Sequence, residues 1–196
     1  AWAASGIKVT LYNGTTATTY TDTVSTSGDS QANMSGVPNG TYNVYIGKDS
    51  NHKTDMIDSG IDVTVNNNNP TAVAVNYYTL TMQTATNGAA TVNGTSVANN
   101  GTVVLAGGTT TTASNYTHAI VGSGTSGYHF SSWTAVSGSP TIGSTSTAST
   151  TVKVGAASTI KVTGAANAVA VNINKDGSAW AASGIKVTLY NGTTAT

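Results

Sequence analysis

The sequence predicts an all-β protein made of two small β domains carried in a tandem array. Three observations carry that expectation. Apolar and polar residues alternate at period 2 in a series of short runs, Asn-Gly and Asp-Gly pairs punctuate the runs, and residues 1–18, AWAASGIKVTLYNGTTAT, recur without a change at 179–196. Strict alternation marks a strand with one buried and one solvated face. Asn-Gly and Asp-Gly supply the positive φ angles of tight hairpins. The recurrence sets a period of 178 residues, far above the roughly 20–50 residues of solenoid repeats and long enough for domains that fold alone.

Each run has its own justification. Ile7-Val9-Leu11 alternates with Lys and Thr, and Asn13-Gly14 reverses the chain behind it. After the break at Ser27-Gly28-Asp29 and the turn Pro38-Asn39-Gly40 comes Tyr42-Val44-Ile46. Ile61-Val63-Val65 follows, and Asn66-Asn67-Asn68-Asn69-Pro70 reads as a turn late in the first unit. Val73-Val75 and Leu80-Met82 lie in an alternating stretch, 71–83, that carries the chain onward, which sets a boundary near Asn76-Tyr77. Turns at Asn87-Gly88, Asn93-Gly94 and Asn100-Gly101 cut the next region into short strands. Val152-Val154 and Ile160-Val162 close it. Val169-Val171-Ile173 and the Asp176-Gly177 turn then lead into the second copy of AWAASG. The expected domains are 1–76, 77–167 and 168–196, the last being the first strands of the next 178-residue repeat. Ala168–Gly177 precedes the second copy only, so the first domain is expected to lack its opening strand, and an equivalent of Val169, Val171 and Ile173 from a preceding copy is expected to fill the gap. β-branched Thr and Val suit a pleated surface and disfavour helices, and no window combines helical apolar spacing with caps.

Composition narrows the function classes. Thr (37), Gly (22), Ser (21) and Asn (19) make up about half of the 196 residues, 7 Lys balance 7 Asp, and Cys, Arg and Glu are absent. Without a basic surface there is nothing to displace counterions from phosphates, so a nucleic-acid partner is not expected. No apolar stretch approaches the roughly 20 residues that cross a bilayer, so neither is membrane insertion by this segment. The opening AWAASGIK has neither an initiator Met nor a leader pattern and is read as an internal window of a longer chain. Few carboxylates and three His predict weak pH dependence of stability.

Two resemblances sharpen the expectation. Val169-Ala-Val-Asn-Ile-Asn-Lys-Asp-Gly177, then Gly184-Ile-Lys-Val-Thr-Leu-Tyr190, and at the equivalent front end Gly36-Val-Pro-Asn-Gly-Thr-Tyr-Asn-Val-Tyr45 resemble the Cna B-type, or carboxypeptidase regulatory-like, β-sandwich of bacterial surface proteins. Many members carry a Lys–Asn isopeptide bond catalysed by a buried Glu. This chain has no Glu, so that chemistry is not expected. The segment from about Tyr77 to Gly164, with Gly127-Tyr128-His129-Phe130-Ser131-Ser132-Trp133, is similar to a divergent InlB B-type repeat. The resemblances imply an Ig-like or prealbumin-like sandwich followed by a β-grasp-like or sandwich repeat, both modules of microbial cell-surface proteins.

No residue pattern demands catalysis. His52, His118 and His129 are too dispersed for a zinc motif, no G-x-S-x-G elbow occurs, and enzyme activity is not expected. His129 should face away from the core that Tyr128 and Phe130 enter, and all three His are read as exposed strand positions. The densest polar cluster contains Asp49, Asn51, Asp55 and Asp58. It is a weak calcium candidate because carboxylate and amide oxygens suit that ion, against the plainer reading of a solvated loop. Trp133, Tyr128 and Phe130 are read as core, with sugar stacking as the other reading, and Trp2 or its twin Trp180 as the more exposed ring. Sequons at Asn13, Asn33, Asn93, Asn100, Asn115 and Asn191 would accept glycans on a surface protein. The expected function is a structural repeat unit of an extracellular filament, stalk or surface fibre, with neighbouring copies of the same chain joined head to tail. The alternative is an adhesin module binding glycans or another cell-surface ligand. No cofactor is expected beyond the calcium candidate.

Overall fold

A computed structural model describes residues 6–24, 31–49, 55–85, 87–107, 116–180, 184–191 and 194–195. All regular structure among the described residues is β. The chain divides into a larger compact unit, Ala1–Ala166, and a smaller one, Asn167–Thr196.

The larger unit opens with a four-stranded antiparallel sheet of β1 (Ile7–Asn13), β2 (Thr16–Val24), β3 (Gly40–Gly47) and β4 (Met56–Val65), in the order β2-β1-β3-β4. The cross-strand pairs Val9↔Ile46, Leu11↔Val44 and Tyr42↔Val63 bring the alternating apolar residues onto one face, as period 2 requires. Leu11, Tyr42, Val44 and Ile46 are buried there, and Met34 and Val37 pack against them from the segment ahead of β3. Tyr42 also closes the turn before its own strand, its hydroxyl donating to the Pro38 carbonyl at 3.0 Å. Asn39 Nδ2 donates to Asn67 Oδ1 at 2.8 Å, fastening that turn to the Asn run after β4. On the opposite face Tyr12 and Tyr45 stack with centroids 3.8 Å apart.

The Val73-Val75 run is not a strand. Pairing resumes only at Asn76, because among the described residues no neighbouring strand takes up its backbone groups. Val73 is exposed, while Val75 packs on the first core.

Nine strands follow: β5 (Asn76–Thr84), β6 (Gly88–Val92), β7 (Thr95–Val97), β8 (Gly101–Gly107), β9 (His118–Gly124), β10 (Tyr128–Ser137), β11 (Thr141–Ile142), β12 (Ser149–Lys153) and β13 (Ser158–Ala166). They form two sheets, β10-β13-β5-β8 and β11-β12-β9-β6-β7, in which β13 and β5 are parallel and the other pairs antiparallel. Leu80, Met82, Leu105, Trp133 and Ile160 from one sheet enclose a core with Val92, Ile120 and Val152 from the other. Of the two architectures expected for this half, the sandwich is the one found.

A bulge decides how the aromatic run enters that core. Simple alternation would put Trp133 on the face opposite Phe130. The register steps from Phe130↔Gly164 to Ser132↔Thr163, so β10 spends two residues against one on β13. The extra residue restores Trp133 to the inner face, where it is buried with its ring 5.9 Å from that of Phe130. Gly122 on the facing sheet makes room: a Cβ there would stand 2.8 Å from Phe130 Cδ2.

The smaller unit holds two short hairpins, β14 (Asn174–Lys175) with β15 (Ser178–Ala179), and β16 (Tyr190–Asn191) with β17 (Thr194–Ala195). Asp176 and Gly177 turn the first at φ 55° and 80°, the positive pair that a type I′ turn needs. Val169-Val171-Ile173, expected as a strand, lies outside any ladder.

Candidate functional site

The verbatim repeat supplies an internal control. Ile7 and Leu11 of the first copy are 5% and 7% exposed, whereas their twins Ile185 and Leu189 are 46% and 51% exposed. The difference is one of neighbours. Ile7 and Leu11 sit in a sheet where β3 lies alongside β1, and among the described residues of the smaller unit no such strand lies beside 185–189. Upstream of this segment Val169 and Val171 are also exposed. Trp180 is half-exposed, its amide donating to the Ile173 carbonyl at 2.9 Å and its ring 6.0 Å from Lys175 Nζ. Val171, Ile173, Ala179 and Trp180 border a shallow concavity. These exposed apolar side chains make the smaller unit a candidate contact region.

The second feature is the junction of the first sheet with the sandwich. Tyr77 donates its hydroxyl to the Gly47 carbonyl at 2.5 Å, and Tyr116 donates to the Ser59 carbonyl at 2.9 Å. Ala106 N–H donates to the Lys48 carbonyl at 3.0 Å, and Asp49 forms a bridge with Leu105. At the centre lies Asn93, in the β6–β7 turn. Its Oδ1 accepts from Ala119 N–H at 3.1 Å, which fixes the amide orientation. Its Nδ2 then faces the Asp49 carboxylate and, at 3.3 Å, His118 Nδ1. His118 Nε2 lies 2.8 Å from the Ala106 carbonyl. A carbonyl can only accept, so Nε2 carries the proton and Nδ1 is the acceptor for Asn93. The network therefore selects neutral His118.

Both charged-type members are fully buried. Burial holds the His118 pKa below its ordinary value, with the Ala106 carbonyl and the Asp49 carboxylate pulling the other way and Lys48 adding to the depression. Burial likewise raises the phenol pKa of Tyr77, reinforced by Tyr116 and Asp49, and that of Tyr116, reinforced by Asp58. Ala106 and Tyr116 also join Leu11, Val44 and Ile46 in one apolar cluster. The polar network is thus backed by packing, and the two halves of the larger unit are fastened together.

His118 was expected at an exposed strand position and is instead buried. It shares parity on β9 with the buried Ile120, so its face was legible from spacing. The place of Asn93 in this network, where the sequence marks only a hairpin residue, was not. His129 is exposed, between the half-buried Tyr128 and Phe130. The calcium candidates do not share one cradle. Asp49 is buried against Asn93, Asp55 pairs with Lys48, and Asp58 Oδ1 accepts from Gly60 N–H at 2.8 Å. Asn51 lies outside the described residues. No group of three or more His or carboxylates with metal-binding geometry occurs among the described residues. No helix there is long and apolar enough to cross a membrane. Trp133 lies in the sandwich core, its Nε1 donating to the Thr147 carbonyl at 3.2 Å.

Comparison with known proteins returns no matching family model, no matching curated protein and no matching solved structure.

Proposed function

We propose that the chain is a structural repeat unit of an extracellular filament, stalk or surface fibre, its 178-residue periods following one another head to tail. One observation carries this reading: Ile7 and Leu11 of the repeated segment are buried in a sheet in the first copy, and their twins Ile185 and Leu189 stand exposed in the second. A same-polarity contact of this type propagates as a line or helix rather than closing on itself. The fastened junction supports it, since a fibre that bears tension needs its modules fixed to each other. Zero net charge removes the self-repulsion that would oppose lateral bundling. Membership of the Cna B-type and InlB B-type surface-module families belongs to the same proposal and rests on 36–45 and 127–133. Electron microscopy of the native material tests the reading. A linear repeat of about 70–90 Å is expected from two strand-length units per period, and monodisperse globules without an axial repeat would overturn it.

The half-exposed indole of Trp180 beside Lys175 favours a second reading, an adhesin module that stacks a sugar ring on Trp180. A glycan array probed with the chain and with Trp180→Ala discriminates: saccharide binding lost in the variant would establish this reading.

A further inference from the structure

We infer that residues 168–175 are a donor strand whose partner is a second copy of this chain, and that Val169, Val171 and Ile173 cover the open part of the apolar face of the β2-β1-β3-β4 sheet in that copy. The inference rests on the head-to-tail reading and names its contact.

The acceptor is incompletely covered. On the inner face of the first sheet Leu11, Tyr42, Val44 and Ile46 are buried. Around them Val9, Tyr20, Ile57, Val63 and Val65 are only partly so. Part of the cover comes from Met34 and Val37, and part from Tyr77, Ala106 and Tyr116 at the junction. A single sheet needs a second layer over its apolar face, and among the described residues that layer is partial. The outer strands, β2 and β4, each have one partner in the sheet.

The donor has the matching form. Val169, Val171 and Ile173 fall at period 2, so an extended backbone aims them to one side while Ala170, Asn172 and Asn174 point to the other. Val169 and Val171 are 69% and 51% exposed. The segment already shows where it docks along the chain. The Asp176-Gly177 hairpin and the Trp180 N–H bond to the Ile173 carbonyl hold it against Ala179 and Trp180, the first two residues of the second copy, and in the first copy the same sequence runs into β1 of the acceptor sheet. Strand addition of this kind takes affinity from main-chain bonds and specificity from alternate side chains.

The test uses the full chain and a fluorescent peptide of residues 167–178. The peptide should bind the full chain in anisotropy titrations, and its Val169→Asp/Val171→Asp form should bind at least about tenfold more weakly. In sedimentation velocity the wild-type chain should form concentration-dependent linear oligomers, and the V169D/V171D chain should not. Both substituted side chains are exposed, so the variant keeps its fold, which circular dichroism verifies. Linear oligomers of equal strength from both chains would overturn the inference and leave the fibre reading standing on another contact. Absence of peptide binding would overturn it as well, with the fibre reading then decided by the axial repeat of the native material. Competition by a 179–191 peptide in place of 167–178 would mean that the repeat replaces β1 in the neighbour, and would also overturn it.

Discussion

Replacing Trp133 by Ala should destabilise the whole of the larger unit. A buried Trp removes about 150–250 Å² from water, and at about 25 cal/mol per Å² that is about 4–6 kcal/mol of gross transfer free energy. Compaction of the unfolded chain lowers the figure, and the cavity left between the sheets raises it, which returns the range of about 3–5 kcal/mol for Trp→Ala in cores. The indole bond to the Thr147 carbonyl is lost too, at about 1 kcal/mol. A domain holds about 5–15 kcal/mol in total, so the variant retains only part of its stability. With a urea slope of about 1–3 kcal/mol per M, the midpoint should fall by about 1–5 M. Far-UV circular dichroism against urea reads this. One transition is expected rather than two, because the Asn93–His118 network and the shared apolar cluster tie the first sheet to the sandwich. Trp133→Phe, which keeps a ring against Phe130 but loses the N–H, should sit between wild type and Ala. A Trp133→Ala midpoint within about 0.3 M of wild type would refute the assignment of this ring as the core anchor.

The junction should make stability pH-dependent, where composition alone predicts a weak dependence. The folded His118 pKa lies below the unfolded value of about 6.5, so the unfolded chain binds the proton first, and stability is complete above that pH and declines as pH falls below it. Urea midpoints at neutral and mildly acidic pH should differ in wild type, and equality between them would remove the network from the account. Gly122→Ala puts a Cβ 2.8 Å from both Phe130 Cδ2 and Val162 Cγ2, so a loss of about 1–3 kcal/mol by overpacking is expected in denaturant melts. Deleting Ser131 removes the bulge residue and leaves Phe130 and Trp133 two positions apart, on one face of a regular strand, so Trp emission should not shift to the red; a red shift would remove the bulge from the account of how Trp133 is aimed. Millimolar calcium or a chelator should leave the melting temperature unchanged, since Asp49 and Asp55 are engaged by Asn93 and Lys48; a calcium-dependent rise would restore the loop as a metal site.

Much of the candidate site was legible locally. The alternation of Val169, Val171 and Ile173 and the recurrence of 1–18 are properties of the sequence, and they single out the proposed donor segment before any fold is known. The junction was less so. Asp49 stands in a polar stretch that reads as a solvated loop, and nothing within several residues of it signals burial. Its partner Asn93 is 44 residues away, and a hairpin Asn looks the same from sequence whether its side chain meets water or a buried carboxylate. The Phe130-to-Trp133 spacing is intermediate. A spacing of three between two inward rings violates period 2 and calls for a bulge, but only pairing with β13 shows which residue is expelled.

The two copies of the 18-residue segment separate the two kinds of information. Both form the same hairpin: Tyr12 pairs with Ala17 and Asn13 with Thr16 in one, Tyr190 with Ala195 and Asn191 with Thr194 in the other. That much is determined by sequence alone, because the Asn-Gly-Thr turn and the flanking β-branched residues act within a few residues of each other. The rest of the strand is not. Lys8-Val9-Thr10 is paired on both sides in the first copy, by β2 along its length and by β3 from Val9 onward, while the identical Lys186-Val187-Thr188 has no ladder. A strand gains its backbone bonds and its buried face from residues distant in the chain, here those of 40–47, so the same side chains are core in one place and surface in the other.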